Sequence, residues 1–173
     1  MLTLLNYHTV PYLVLNSPIT AMKTISNDIF FAQVEELLAE GQSVVIRVKG
    51  YSMRPFMRSE RTQVRIAPIT ESERQNLRVG DVVLFRYKGR HIMHRIRRIA
   101  GEKITLAGDG NYRIWEDCRH EDIVGIISDV IGFNGRSISC QSRHWRCVSW
   151  LWVSLPQLVR RAILGILWRI GIK

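Results

Sequence analysis

Hydrophobic and polar residues follow short alternating runs through most of this chain, and helical spacing is confined to two segments. In the first of these, from Asn27 to Glu40, apolar residues recur every three or four positions, and Gly41 ends the run. Such spacing predicts an amphipathic helix, because the apolar residues fall on one face. Asn27 or Asp28 is suited to cap its first turn.

Short β-branched runs separated by turn residues make up the middle of the chain. Pairs that suit hairpin turns lie between several of them, namely Lys88-Gly89, Gly101-Glu102 and Asn134-Gly135. We therefore predict a mainly β fold, a small antiparallel, barrel-like or coiled sheet flanked by an N-terminal and a C-terminal helix. The polar segment 70–80 is predicted as a surface loop or one helical turn. The predicted strands cover residues 43–49, 63–66, 82–87, 91–99, 103–107 and 123–131.

The second helical pattern lies near the end of the chain, where apolar residues share one stripe between about 155 and 171. Ser154 is placed to cap this helix, and Pro156 suits its first turn. This basic amphipathic helix could lie in the plane of an anionic membrane, pack on the β domain or pair with a second copy. On the membrane hypothesis, the residues at the interface are Trp150, Trp152 and Trp168, and those facing phosphates are Arg160, Arg161 and Arg169.

Length and composition indicate one globular domain with appendages. The chain has 173 residues, of which 46% are hydrophobic and 23% charged. We divide it into an N-terminal extension (1–26), a β domain (27–140) and a basic tail (141–173). Lys and Arg number 25 against 15 acidic residues, so the surface should attract anions. No specific nucleic acid is expected, because this charge is spread along strands and tail instead of lying on one recognition helix.

The N-terminal extension is apolar but resembles neither an export signal nor a spanning helix. It carries no Lys or Arg before its apolar part, and Pro11 and Pro18 interrupt it. Either Met1 or Met22 could be the start. The three cysteines have no metal-ligand spacing and cannot all pair with one another, so we expect a reducing, cytoplasmic location. No metal or cofactor is predicted.

Residues 50–55, Gly-Tyr-Ser-Met-Arg-Pro, follow a predicted strand and contain the most informative serine. Gly50 permits a tight turn and Pro55 stiffens the exit, so the loop can present the Ser52 hydroxyl. A serine hydroxyl becomes a good nucleophile only when a neighbouring base takes its proton. The loop therefore raises the question of which residue supplies that base.

Two histidines and one turn are candidates for the rest of a catalytic group. His94 lies on a predicted strand, where it is either an ordinary core residue or the base. His91 lies beside a turn and is interpreted as a surface residue. Asp109, in the segment Gly-Asp-Gly-Asn, is either a turn residue or a carboxylate that orients an imidazole.

Five short segments follow one another along the chain in an order typical of one family. They are GYSMRP at 50–55, LRVGDVVLF at 77–85, HRI at 94–96, GDGN at 108–111 and IVGII at 123–127. Together they resemble the signal-peptidase and LexA-like superfamily over roughly residues 41–138. Bacterial signal peptidases and LexA-type proteins use a lysine base, whereas the branch similar to endoplasmic-reticulum signal peptidase uses a histidine. The resemblance therefore implies the Ser–His branch, with Ser52 as nucleophile and His94 as base.

The same resemblance implies an acid and a substrate-binding loop. Asp109 matches the first aspartate of the family, and Asp117 is the alternative acid. Some relatives have an oxyanion-binding serine two residues before the nucleophile, so here the backbone N–H of Ser52 and a neighbour must hold that charge. The residues expected to contact substrate are Gly50, Tyr51, Met53 and Pro55.

These features predict a serine endopeptidase that cleaves an extended peptide or a leader- or signal-type segment of a protein. No membrane anchor is predicted before the domain, so we expect peripheral attachment to the inner face of the membrane through residues 150–173. One alternative is a catalytically inactive peptide-binding or membrane-surface module of the same fold. A DNA-binding regulator of the LexA kind would need a helix-turn-helix, and residues 1–40 predict only one helix.

Overall fold

A computed structural model describes residues 27–111 and 113–170 of the chain. The predicted N-terminal helix, the six predicted strands and the single helical turn in 70–80 are all present there. The predictions for residues 1–26 and for the last three residues lie outside the described part. The elements are α1 (Asn27–Ala39), β1 (Val44–Arg47), β2 (Gln63–Ala67), α2 (Glu71–Gln75), β3 (Val82–Tyr87), β4 (Arg90–Ala100), β5 (Lys103–Ala107), β6 (Glu116–Cys118), β7 (Ile123–Ile131), β8 (Ser137–Ser139), α3 (Arg143–Ser154) and α4 (Gln157–Arg169).

The strands form one antiparallel sheet in the order β1-β2-β7-β3-β4-β5-β6, and β8 pairs with β7. The sheet curls into a half-barrel, so that β6 also lies against β3. The prediction of a mainly β, antiparallel, coiled sheet is therefore confirmed. The strands β6 and β8, which the sequence analysis missed, have only three residues each.

Irregular pairing bends the sheet at three places, of which the one in β4 matters most for the site. Ile96 lies opposite Leu106 and Arg98 lies opposite Thr105, so Arg97 is an extra residue without a partner on β5. A β-bulge of this kind bends the strand and redirects its side chains.

Apolar side chains form two clusters, one on each side of the curled sheet. The first is closed by α1 and by Trp145 of α3, and it includes Met53 and Met57 from the loop after β1. The second lies between β3, β4, β5 and β7, with Phe85 among its buried members. Burial of such side chains is the main source of stability for a sheet of this size.

The helix predicted over about 155–171 is present as α4, and it is preceded by a second helix, α3, which the sequence analysis missed. Ser154 is the last residue of α3 and caps nothing, while Pro156 is the N-cap of α4. Trp145 belongs to the first cluster and Trp152 is buried against Phe56, so α3 is part of the folded domain and not of a separate tail. Trp152 is therefore not available for the membrane contact expected of it.

The second helix of the tail, α4, leaves its apolar residues outside the core. Leu158 is 76% exposed, and Ile166 and Trp168 are each 59% exposed. Trp150 of α3 is exposed as well. Within residues 27–111 and 113–170, no helix combines the length and the apolar character needed to cross a bilayer.

Candidate active site

Ser52 lies in the loop that joins the edge strand β1 to β2, and its backbone is fixed on two sides. Gly50 has a φ of +91°, which favours glycine, and its N–H donates a hydrogen bond to the Ser59 Oγ at 3.0 Å. The N–H of Gly110 donates to the carbonyl oxygen of Ser52 at 2.6 Å. The next residue, Met53, is buried in the first cluster and anchors the loop to the core.

His94 reaches the same point from the middle of the sheet. Its neighbour Arg95 pairs with Ala107 of β5, so the chain just beyond β5 lies beside His94. A methyl group placed on Gly108 would lie 2.9 Å from Ser52 Cβ and 3.0 Å from His94 Nε2. The serine and the imidazole therefore flank the same glycine, and Ser52 Cβ lies within about 6 Å of His94 Nε2.

The two groups facing Gly108 are buried and lack hydrogen-bond partners among the described residues. Ser52 is 3% exposed and His94 is fully buried, and neither Ser52 Oγ nor His94 Nε2 makes a hydrogen bond there. An unsatisfied buried polar group costs about 1–3 kcal/mol. A hydroxyl can donate and the Nε2 of a neutral imidazole can accept, so the two groups are complementary.

The other ring nitrogen of His94 is held by an acid that the sequence analysis missed. His94 Nδ1 lies 2.9 Å from Oε2 of Glu116, which is also buried. Glu116 lies opposite Leu106 in the pairing of β6 with β5, and this register turns its side chain toward the imidazole. Burial lowers the pKa of His94, while the hydrogen bond and the charge of Glu116 act in the opposite direction. The ring is thereby kept in its neutral, proton-accepting form.

Asp117, the alternative acid, points away from the site. Successive residues of a strand face opposite sides, so Asp117 is exposed while Glu116 is buried. Its carboxylate contacts Lys103 Nζ at 2.9 Å and accepts a hydrogen bond from Thr105 Oγ1 at 2.7 Å. These two contacts hold the pKa of Asp117 below its usual range. The prediction of Asp117 missed the acid beside His94 by one residue.

Asp109, the first choice for the acid, is bound to arginines and not to His94. Arg95 Nε and Nη2 donate to its two carboxylate oxygens at 2.8–3.0 Å, and Arg97 Nη2 donates at 3.0 Å. Arg95 also donates to the carbonyl of Gly80 and to Ser149 Oγ of α3. Asp109 thus ties the turn after β5 to the sheet and to α3.

Two glycines of the same turn allow it to approach the serine loop, and the sequence analysis treated them only as turn residues. A Cβ on Gly108 would lie 2.6 Å from the Ser52 carbonyl oxygen, and a Cβ on Gly110 would lie 2.7 Å from that of Tyr51. Such distances are too short for any side chain, so close packing of backbones requires glycine at both positions.

The residues predicted to bind substrate differ in their exposure. Tyr51 is 55% exposed, with the guanidinium of Arg54 4.7 Å from its ring centroid, and Gly50 and Pro55 are half-buried. Met53 is a core residue, so its side chain offers no surface to a substrate, contrary to the prediction. Trp115, which precedes Glu116, is 51% exposed and adds an apolar surface that the sequence analysis overlooked.

His91 is not the solvated surface residue that its position beside a turn suggested. Its Nε2 lies 2.6 Å from Glu35 Oε1, and its ring stacks on Phe31 with centroids 4.6 Å apart. The contacts attach α1 to the sheet. His91 therefore has a structural role, unlike His94.

The described residues bring together no group of three His, Cys, Asp or Glu side chains suited to a metal ion. Comparison with protein-family models, curated proteins and solved structures finds no match for this chain.

Proposed function

We propose that this chain is a serine endopeptidase in which Ser52 is the nucleophile, His94 the general base and Glu116 the acid that orients it. The observation that carries the proposal is the convergence on Gly108. Two unpaired, complementary groups flank it, and the far side of the imidazole is held by a buried carboxylate. A catalytic triad has this arrangement, in which a buried acid, an imidazole and a hydroxyl follow one another.

In the proposed reaction, Ser52 Oγ attacks the carbonyl carbon of the scissile peptide bond as His94 Nε2 removes its proton. The negative charge of Glu116 stabilises the imidazolium. His94 then gives the proton to the leaving amine, and an ester on Ser52 remains. Water, deprotonated by His94, hydrolyses the ester and regenerates the hydroxyl. The backbone N–H of Ser52 and of a neighbour hold the oxyanion.

The proposed substrate is an extended peptide or a leader- or signal-type segment with small residues beside the cleaved bond. Ser52 follows β1, the terminal strand in the order of the sheet, and a peptide could add alongside this edge. The five ordered segments and the curled antiparallel sheet support a domain of the signal-peptidase and LexA-like type, in its Ser–His branch. Tyr51 in the loop and Trp115, which precedes Glu116, are exposed aromatic residues.

The proposal is tested by covalent labelling of the native protein with serine-directed reagents, a fluorophosphonate and a β-lactam. We expect one adduct, mapped to Ser52 by mass spectrometry and lost on heat unfolding. Ser52→Ala should abolish it, because the Ser52 side chain is the one that lies with His94 Nε2 beside Gly108 in the described part of the chain. The matched control Ser72→Ala removes an exposed hydroxyl of α2 and should leave labelling unchanged. Labelling that persists in Ser52→Ala would overturn the assignment.

A second candidate function is a catalytically inactive peptide-binding or membrane-surface module. It is favoured by the near-complete burial of Ser52 and His94 and by the exposed apolar residues of α4. In this case neither reagent would modify Ser52 between pH 7 and 9. For either function, we propose a cytoplasmic protein that attaches through α4 to the inner, anionic face of a membrane.

A further inference from the structure

Three arginines lie near one another between β4 and α4, and among the described residues only Asp109 lies within ion-pair distance of any of them. The side chains of Arg95 and Arg97 are 0% and 3% exposed, and Arg160, in the first turn of α4, is 8% exposed. Arg95 makes three contacts with Asp109, whereas Arg97 makes one. The ion pairs found within the described ranges include none for Arg160. The cluster therefore holds more buried positive than negative charge.

Several N–H groups of this cluster have no acceptor in the part of the chain that the structure describes. They are Arg97 Nε, Arg97 Nη1 and Arg160 Nε, and all are buried. Guanidinium groups are rarely buried without partners, because both their charge and their donors lose hydration. Burial, opposed by the charge of Asp109 and reinforced by the charges of Arg160 and Arg95, lowers the pKa of Arg97 to about 10. Arg97 nevertheless stays charged at neutral pH.

The charge of Arg160 acts on Arg97, so the two guanidinium groups lie near each other. Arg97 is the extra residue of the β4 bulge, and bulges often redirect side chains beside functional sites. The first turn of α4 has no acidic residue and no capping side chain. The positive end of the helix dipole therefore adds to the attraction for an anion.

We propose that Arg97 and Arg160 form a binding site for a phosphate-type oxyanion between the β4 bulge and the start of α4. Planar guanidinium groups bind such oxyanions through paired N–H donors, and the unpaired nitrogens supply them. The phosphate can be free in solution or can belong to a phospholipid headgroup. The exposed apolar residues of α4 offer a surface for the acyl region in the second case. This site is separate from Ser52 and does not depend on catalysis.

The site is tested by thermal unfolding of the full chain in sodium phosphate against sodium chloride at equal ionic strength. Phosphate should raise the melting temperature of the wild type in a saturable manner, and Arg160→Gln should weaken its apparent affinity at least tenfold. The control Arg136→Gln removes the same charge from an exposed position in the turn between β7 and β8, outside α4, and should respond like the wild type. Arg97→Gln is the second variant and should also lose the response to phosphate. It provides the test if Arg160→Gln does not fold.

Vesicles distinguish the two sources of phosphate. If the source is a headgroup, binding to vesicles of phosphatidylglycerol and phosphatidylcholine should be lost in Arg160→Gln and be competed by inorganic phosphate, with no binding to phosphatidylcholine alone. If the source is free phosphate, Arg160→Gln and Arg136→Gln should bind the mixed vesicles equally while differing in phosphate affinity. Equal behaviour of these two variants toward both ligands would overturn the proposal.

Discussion

Asparagine in place of Asp109 is expected to destabilise the fold by about 3–5 kcal/mol. The carboxylate is the buried counter-ion of Arg95, and an amide keeps its size but removes its charge. The buried guanidinium would then lack compensation, and the turn that carries Gly108 would lose its attachment to α3. Urea unfolding followed by tryptophan fluorescence measures the change in the free energy of unfolding.

The matched control is Asp117→Asn, the same change at an exposed carboxylate that pairs with Lys103. Exposed ion pairs contribute little, so the loss should be about 1 kcal/mol or less. If both variants lost the same stability, the buried pair of Asp109 with Arg95 would not have the role assigned to it.

Glutamine in place of Glu116 is expected to slow acylation of Ser52 by a factor on the order of 1,000 to 10,000. The amide has nearly the same shape, but it carries no negative charge to stabilise the imidazolium of His94. It can also turn its NH₂ toward Nδ1 and favour the wrong tautomer. The rate of Ser52 labelling, measured on folded protein, gives the effect directly.

Glu121→Gln changes an exposed carboxylate in the turn after β6 and should label at the wild-type rate. Asp117→Asn tests whether the neighbouring carboxylate on β6 serves as the acid instead of Glu116. If Asp117→Asn slowed the reaction and Glu116→Gln did not, the acid would be Asp117 and the hydrogen bond to Glu116 would be incidental.

Most of the sheet could be predicted because its strands carry local signals. The runs at 82–87 and 123–131 are long and β-branched, and the glycines at 89 and 101 adopt the positive φ that hairpin turns need. The strands β6 and β8 carry almost no such signal, since Glu-Asp-Cys and Ser-Ile-Ser are short and mostly polar. Their place is decided by pairing with strands already formed.

The helix predicted over 155–171 is present as α4, whereas α3 was missed because the packing that supports it is not local. The apolar stripe over 155–171 is real in the sequence, but the residues that pack on the sheet are Trp145 and Trp152 of α3. Pro156 ends one helix and begins the next, whereas the sequence pattern suggested only a beginning.

The candidate site shows the same division between local and non-local information. The loop around Ser52 was singled out from its residue types, and His94 was chosen through the family resemblance of the ordered segments. The carboxylate that contacts His94 was not predicted. The alternation of the strand decides that Glu116, and not Asp117, faces His94, and the ion pair with Arg95 holds Asp109 away from the imidazole. One signal was present: alternation along Glu-Asp-Cys places Glu116 on the same face as Cys118, toward the core.

The central claim is that His94 acts as the base for Ser52, and the pH dependence of Ser52 acylation tests it most directly. Because burial lowers the pKa of His94, the wild-type rate should rise through a midpoint below the ordinary histidine value of about 6.5 and stay level through neutral pH. In His94→Gln this plateau should vanish, leaving a slow rate that grows with hydroxide concentration. A wild-type rate without the plateau, or a plateau that survives in His94→Gln, would contradict the account.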